Sequence, residues 1–256
     1  MDAGYTIAQI RIPLLLTFLA GISTGIGSLV SLFIKEFRKS YLQFALGLSA
    51  GVMVYVSFAE LLRAAVKDIG FLKANIAFFT GIAFIMLIDF LIPHEYIKEH
   101  VKVEAKSTKL MAAGVFTAWG IAIHNLPEGL AVFMSALGDI KLGITLAFAI
   151  AIHNIPEGIA VAMPIFYATR SRKKAFWYSM LSGIAEPLGA LLGIVILIPL
   201  LQPTFLAASL AFVAGIMVFI SFDELLPLAY ENEAGHTSIL GITTGMLIMA
   251  LSLHLL

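Results

Sequence analysis

Eight apolar runs decide what this chain is able to become. They lie at roughly 12–34, 41–62, 74–92, 110–137, 142–168, 175–199, 204–229 and 237–256, each near or above the ~20 residues that take an α-helix across a bilayer. In hydrocarbon the backbone finds no partner but itself, so each run is expected to be a helix. The expected fold is an all-α membrane protein with eight transmembrane helices, forming a single polytopic domain over residues 1–256. Its one sizeable loop, about 93–109, holds His94 and His100 among alternating acids and lysines and reads as a solvated surface segment. Composition agrees: 60% of the 256 residues are hydrophobic, 12% are charged, and the mean hydropathy is +0.99, which excludes an ordinary soluble domain. Asp2 and no basic stretch precede the first run, so that run is expected to stay as a membrane helix and not to be cleaved as a signal peptide.

Eight crossings put both termini on one side of the membrane, and the basic residues say which. Lys35, Arg38, Lys39, Lys98, Lys102, Lys106, Lys109, Arg170, Arg172, Lys173 and Lys174, eleven of the 16, fall in alternate loops on one face. That excess marks the cytoplasmic side, so a multi-pass protein of the cell membrane with both termini outside is expected. Sixteen acidic residues balance the 16 basic ones, which leaves no electrostatic footprint for nucleic acid. With no Cys, the chain has neither a disulfide nor a thiolate ligand. The lipid bilayer is the extended partner implied, and a homodimer stays open.

The chain also repeats itself. Ala50-Gly51-Val52-Met53-Val54-Tyr55-Val56-Ser57-Phe58-Ala59-Glu60-Leu61-Leu62 recurs 164 positions later as Ala214-Gly215-Ile216-Met217-Val218-Phe219-Ile220-Ser221-Phe222-Asp223-Glu224-Leu225-Leu226. The same offset carries Thr80-Gly81 to Thr244-Gly245, and an offset of 162 carries Gly21 and Gly27 to Gly183 and Gly189. Helices one to three are thus repeated as six to eight. Helices four and five intervene, so the copies enter the membrane from opposite sides. This is an inverted repeat around a symmetric pair, an architecture of secondary transporters with a midplane site.

The symmetric pair carries the chemistry. His124-Asn125-Leu126-Pro127-Glu128-Gly129 in helix four recurs 29 positions later as His153-Asn154-Ile155-Pro156-Glu157-Gly158 in helix five. In each copy the His and Glu are four residues apart, about 6 Å along one helix face. That face offers imidazole nitrogen and carboxylate oxygen, donors that suit divalent transition metals. The Pro also frees the carbonyl of Ile123 or Ile152, which a bilayer tolerates only toward protein or a wet cavity. The two copies are expected to face each other across one metal site.

Seven acids lie in or at the ends of the runs: Glu60, Asp89, Glu128, Glu157, Glu186, Asp223 and Glu224. No Lys or Arg stands at comparable depth, so a bound cation is the natural counter-charge. Glu186, beside Pro187 at a depth like that of Glu128 and Glu157, reads as a ligand. By the glycine alignment its counterpart in helix one is Thr24, so this acid has no twin. Glu60, Asp223 and Glu224 read equally well as interfacial acids, and Asp89 reads as a helix-end residue. Met53 and Met217 are able to offer a thioether, though packing is the plainer role for a Met in an apolar helix. His236 and His254 fall in a loop and at the C-terminal edge.

A paired His-Asn-x-Pro-Glu-Gly motif inside an inverted repeat resembles the ZIP (Zrt-, Irt-like) family of divalent-metal transporters, in particular its prokaryotic GufA- and ZupT-like branch, over essentially all eight helices. The resemblance implies that His124, Asn125 and Glu128 are the helix-four ligands and that His153, Asn154 and Glu157 are the helix-five ligands. It implies that Glu186 is the acid from helix six that completes a two-metal site, and that Met53 lies near the first metal. With the repeat, it implies that helices one, four, five and six move against two, three, seven and eight. The function expected is uptake of Zn²⁺ into the cytoplasm, with Fe²⁺, Mn²⁺, Co²⁺ and Cd²⁺ admitted by the same nitrogen and oxygen donors. The ion is cargo, and no prosthetic group is expected. An intramembrane zinc hydrolase is the alternative, but Asn125 and Asn154 stand where a zincin places its general-base Glu. A purely structural site is closed and four-coordinate, which eight candidate ligands exceed.

Overall fold

The computed structural model describes residues 7–31, 33, 39–91, 106–197, 203–230 and 236–255. Among these residues all regular structure is helical, as a chain of apolar runs requires. We number the rods α1 (Ile7–Ser31), α2 (Lys39–Val56, continued by a π-helical turn Ser57–Leu62 and by Arg63–Ile69), α3 (Phe71–Leu91), α4 (Lys106–Gly138) and α5 (Ile140–Thr169). The remainder are α6 (Arg172–Gly183, continued by Ala185–Leu192 and a π-helical turn Gly193–Leu197), α7 (Pro203–Ile220, continued by a π-helical turn Ser221–Leu225 and by Leu226–Tyr230) and α8 (Thr237–Leu255). Among the described residues seven helices, at Gln9–Val30, Gln43–Ile69, Phe71–Ile88, Ile140–Thr169, Arg172–Val195, Thr204–Asp223 and Thr237–Leu255, are long and apolar enough to cross a membrane. This is an all-α membrane protein. The remaining rod, α4, is 33 residues long and carries His124, Asn125 and Glu128 in its apolar run.

Burial ranks the rods from centre to rim. The membrane window of α5 is 67% buried, against 22% for α3 and 28% for α8, so α5 is the central post. On α3 the side chains of Phe71, Leu72, Ile76, Phe79, Leu87 and Phe90 are exposed, as suits a helix whose solvent is lipid. The main core packs α2, α3, α5 and α7 together through residues such as Met53, Phe78, Ile150, Ile216 and Met217.

A tight hairpin sets the register of the central pair. Asp139 alone separates α4 from α5; its backbone is extended and its carboxylate accepts from the Lys141 N–H at 2.8 Å, capping α5. Beside it, α4 and α5 touch where Gly143 meets Ala136, with no room for a side chain at Gly143. At the other end Arg170 closes α5 in a left-handed conformation with its N–H on the Phe166 carbonyl at 2.7 Å. Both helices run unbroken through Pro127 and Pro156.

Other rods meet through glycines at backbone contact. A methyl group at Gly129 would strike the Glu186 carbonyl and one at Gly189 the Leu126 carbonyl, joining α4 to α6. One at Gly158 would strike the Thr24 carbonyl and one at Gly27 the Ile155 carbonyl, joining α5 to α1. Small residues permit such approach where lipid supplies no hydrophobic drive between helices.

Two expectations about helix ends are revised. The second rod continues past Leu62 to Ile69, because Arg63 bonds Glu60 and the Ala59 carbonyl and so keeps the helix going beyond the apolar run. Lys106 and Lys109 belong to α4 and not to the preceding loop. The rest of that loop, including His94 and His100, lies outside the described residues.

Candidate metal-binding site

The hairpin brings the two hexads to one depth. Counted from Asp139, Glu128 lies eleven residues back and His153 fourteen residues on, a difference of about 4.5 Å in an antiparallel pair at 1.5 Å per residue. His153 Nε2 stands 3.2 Å from Glu128 Oε1, both side chains fully buried. A nitrogen from one copy and a carboxylate from the other thus meet in the interior. His124 sits on α4 one residue before Asn125, but its side chain is outside the described set.

The two asparagines are anchored alike. Asn125 Nδ2 donates to the Ser182 carbonyl on α6 at 3.2 Å, and Asn154 Nδ2 donates to the Ala20 carbonyl on α1 at 3.0 Å. Asn154 Nδ2 also donates to Glu186 Oε1. Since these partners are acceptors only, each amide must present its nitrogen to them and keep its oxygen for something else. Among the described residues, Asn125 Oδ1 and Asn154 Oδ1 accept no hydrogen bond, nor do Glu128 Oε2 and Glu186 Oε2, and all four are buried. Glu128 and Glu157 lie within electrostatic reach of Glu186, so α4, α5 and α6 each send a carboxylate into one region.

The fourth wall is α2. Ser49 donates to Glu157 Oε1 at 3.1 Å, and its hydroxyl lies 4.0 Å from Met53 Sδ. Met53 is therefore one side chain removed from Glu157, wholly buried.

Other sequence candidates stand apart. Glu60 is paired with Arg63 at 3.1 Å, a cation at its own depth that the sequence pattern was not expected to supply. Asp223 is exposed, and His236 and His254 are exposed as well. The side chains of Asp89 and Glu224 are outside the described residues. Sequence reasoning missed Ser49, the Ala20 and Ser182 carbonyls, and the orphaned, buried Thr24 Oγ1. Only Thr24 carried a signal, as the helix-one counterpart of Glu186.

Among the described residues no group of three or more His, Asp or Glu side chains forms a ready metal cage. What is gathered is a looser ring in which carboxylates lean on His153, Asn154 and Ser49. The donors are imidazole, carboxylate and amide oxygen with a thioether close by, a set suited to divalent first-row metals.

A family model described as a ZIP zinc transporter matches residues 93–253. A relative named zinc transporter ZupT from Chlorobium phaeovibrioides is 55% identical over 258 residues, covering 95% of this chain and 97% of its own. Proteins of the same name from Streptococcus mutans and Campylobacter jejuni are 51% and 46% identical, covering 94% and 98% of this chain and 96% and 99% of their own. The resemblance carried by the paired hexads extends over nearly the whole sequence. The chain belongs to the ZIP zinc transporter family.

Proposed function

We propose that this protein carries Zn²⁺ across the cell membrane into the cytoplasm, through a midmembrane site between α4, α5 and α6. The observation that carries the reading is the meeting of Glu128 and His153, from different copies of one hexad, inside a buried set of oxygens without hydrogen bonds. It is a transporter and not an enzyme. The ligands are His124, Asn125, Glu128, His153, Asn154, Glu157 and Glu186, with Met53 at the α2 edge. Glu128 and Glu157 bridge two ions, and Glu186 completes the second position. Fe²⁺, Mn²⁺, Co²⁺ and Cd²⁺ use the same donors.

All eight rods cross the bilayer in this reading, as one polytopic domain with both termini outside and an inverted repeat relating α1–α3 to α6–α8. The glycine contacts support that repeat. Gly51 of α2 lies on the Ile242 carbonyl of α8, and Gly215 of α7 lies on the Phe78 carbonyl of α3; both members of the first contact are 164 positions from their counterparts in the second. The Gly158–Thr24 and Gly129–Glu186 contacts correspond in the same way through the offsets of 29 and 162. The π-helical turns begin at Ser57 and Ser221, again 164 apart.

Purified protein in liposomes should take up Zn²⁺, with Mn²⁺, Fe²⁺, Co²⁺ and Cd²⁺ competing and Mg²⁺ and Ca²⁺ not competing, since hard cations prefer all-oxygen sites. Absence of Zn²⁺ uptake by well-folded protein would refute the reading.

A further inference from the structure

Ser57 and Ser221 turn their hydroxyls back onto their own helices, to the Met53 and Met217 carbonyls at 2.7 Å, the usual habit of a helical Ser. Ser49 does otherwise. Its hydroxyl reaches from α2 to α5 and lies 3.1 Å from Glu157 Oε1, with Met53 Sδ at 4.0 Å. It has one proton to give, and the carboxylate is the far stronger acceptor. Ser49 is wholly buried, so water does not compete for the bond.

The repeat shows that this contact is not a by-product of the architecture. At the 164-residue offset the counterpart of Ser49 is Val213, also buried, and at the 29-residue offset the counterpart of Glu157 is Glu128. A Val has no proton to donate. One of the twin carboxylates is thus held by a hydroxyl from the neighbouring wall, and its twin instead meets His153.

We infer that Ser49 is a positioning residue for transport: its hydroxyl holds the Glu157 carboxylate in place through Oε1. The inference rests on the transport reading above. Hydroxyls and amides that hold a ligand carboxylate typically raise metal affinity about 10–100-fold. Ser49 also ties that carboxylate to the α2 wall bearing Met53, so the position of the ion is set from both sides.

Ser49→Thr and Ser49→Val test this directly, because the two replacements have nearly the same shape and only Thr keeps the hydroxyl. Initial rates of Zn²⁺ uptake into liposomes would be measured against Zn²⁺ concentration, beside wild type and Glu157→Ala. Ser49→Thr should keep KM within about threefold of wild type and Ser49→Val should raise it about tenfold or more, with maximal rates within about twofold. Equal KM values for Thr and Val, or a fall in maximal rate alone, would overturn the role of Ser49. If neither variant inserts, Ser49→Ala in detergent should bind Zn²⁺ about tenfold more weakly than wild type by calorimetry, and equal affinity would overturn it. Failure of wild type to take up Zn²⁺, or full uptake by Glu157→Ala, would overturn the transport reading and this inference together. Normal behaviour of those two with unaltered Ser49 variants would remove the inference alone.

Discussion

Among the described residues, Glu128 Oε2, Glu186 Oε2, Asn125 Oδ1 and Asn154 Oδ1 are buried without a hydrogen bond, and each such atom costs roughly 1–3 kcal/mol in a protein interior. A fold keeps several together only where they have work to do. Glu186 is the telling member, because its counterpart is Thr24 and the symmetry of the site fails there. In the proposed site the three carboxylates Glu128, Glu157 and Glu186 offer three negative charges when all are ionised, and one divalent ion offsets two of them. A second ion is electrostatically reasonable only while the third carboxylate contributes its charge. Glu186→Gln should therefore lower the Zn²⁺ stoichiometry from two to one, with the remaining ion still held by His124, Glu128, His153 and Glu157. Calorimetric titration counts the ions, and an unchanged count of two would make Glu186 a structural acid beside Pro187. The hexads and Glu186 were legible because polar side chains stand out in apolar runs. Ser49 was not legible, since a single Ser in a membrane helix usually serves packing or its own backbone, and only its partner across α5 distinguishes it.

At the scale of elements, the Asp139 cap and the glycines do the arranging. The sequence spacing placed His and Glu on one face of each helix, but the meeting of Glu128 with His153 follows from the one-residue turn between α4 and α5. The carbonyl anchors were invisible for a related reason: Ala20 and Ser182 accept through their backbones, which any residue supplies. Gly129 has a clearer role than packing in general, because it seats the motif of α4 on the backbone of Glu186. Gly129→Ala should push α4 and α6 apart and lower stability by about 1–3 kcal/mol, the usual range for an overpacked contact, seen as a lower melting temperature in detergent. It should also weaken Zn²⁺ binding, because Glu186 moves with its backbone. A variant with wild-type melting and affinity would mean that the close approach is not needed.

For the whole molecule, an all-α membrane protein was readable from the apolar runs alone, whereas the ends of the rods were not. Charge ends an apolar run but does not end a helix, as Arg63 on α2 and Arg172 on α6 show. The proposed orientation, with both termini outside, rests on the basic loops. Single cysteines at Lys39, Lys106 and Lys173, in a chain that has no Cys of its own, should resist membrane-impermeant labelling from outside intact cells, and ready labelling would reverse the topology. The central claim is that the two hexads form one transport site and not two independent ones. Zn²⁺ uptake by Glu128→Ala and by Glu157→Ala, each inserted in liposomes as well as wild type, tests it most directly. One shared site predicts that either substitution alone removes nearly all uptake; half or more of the wild-type rate in either variant would contradict it.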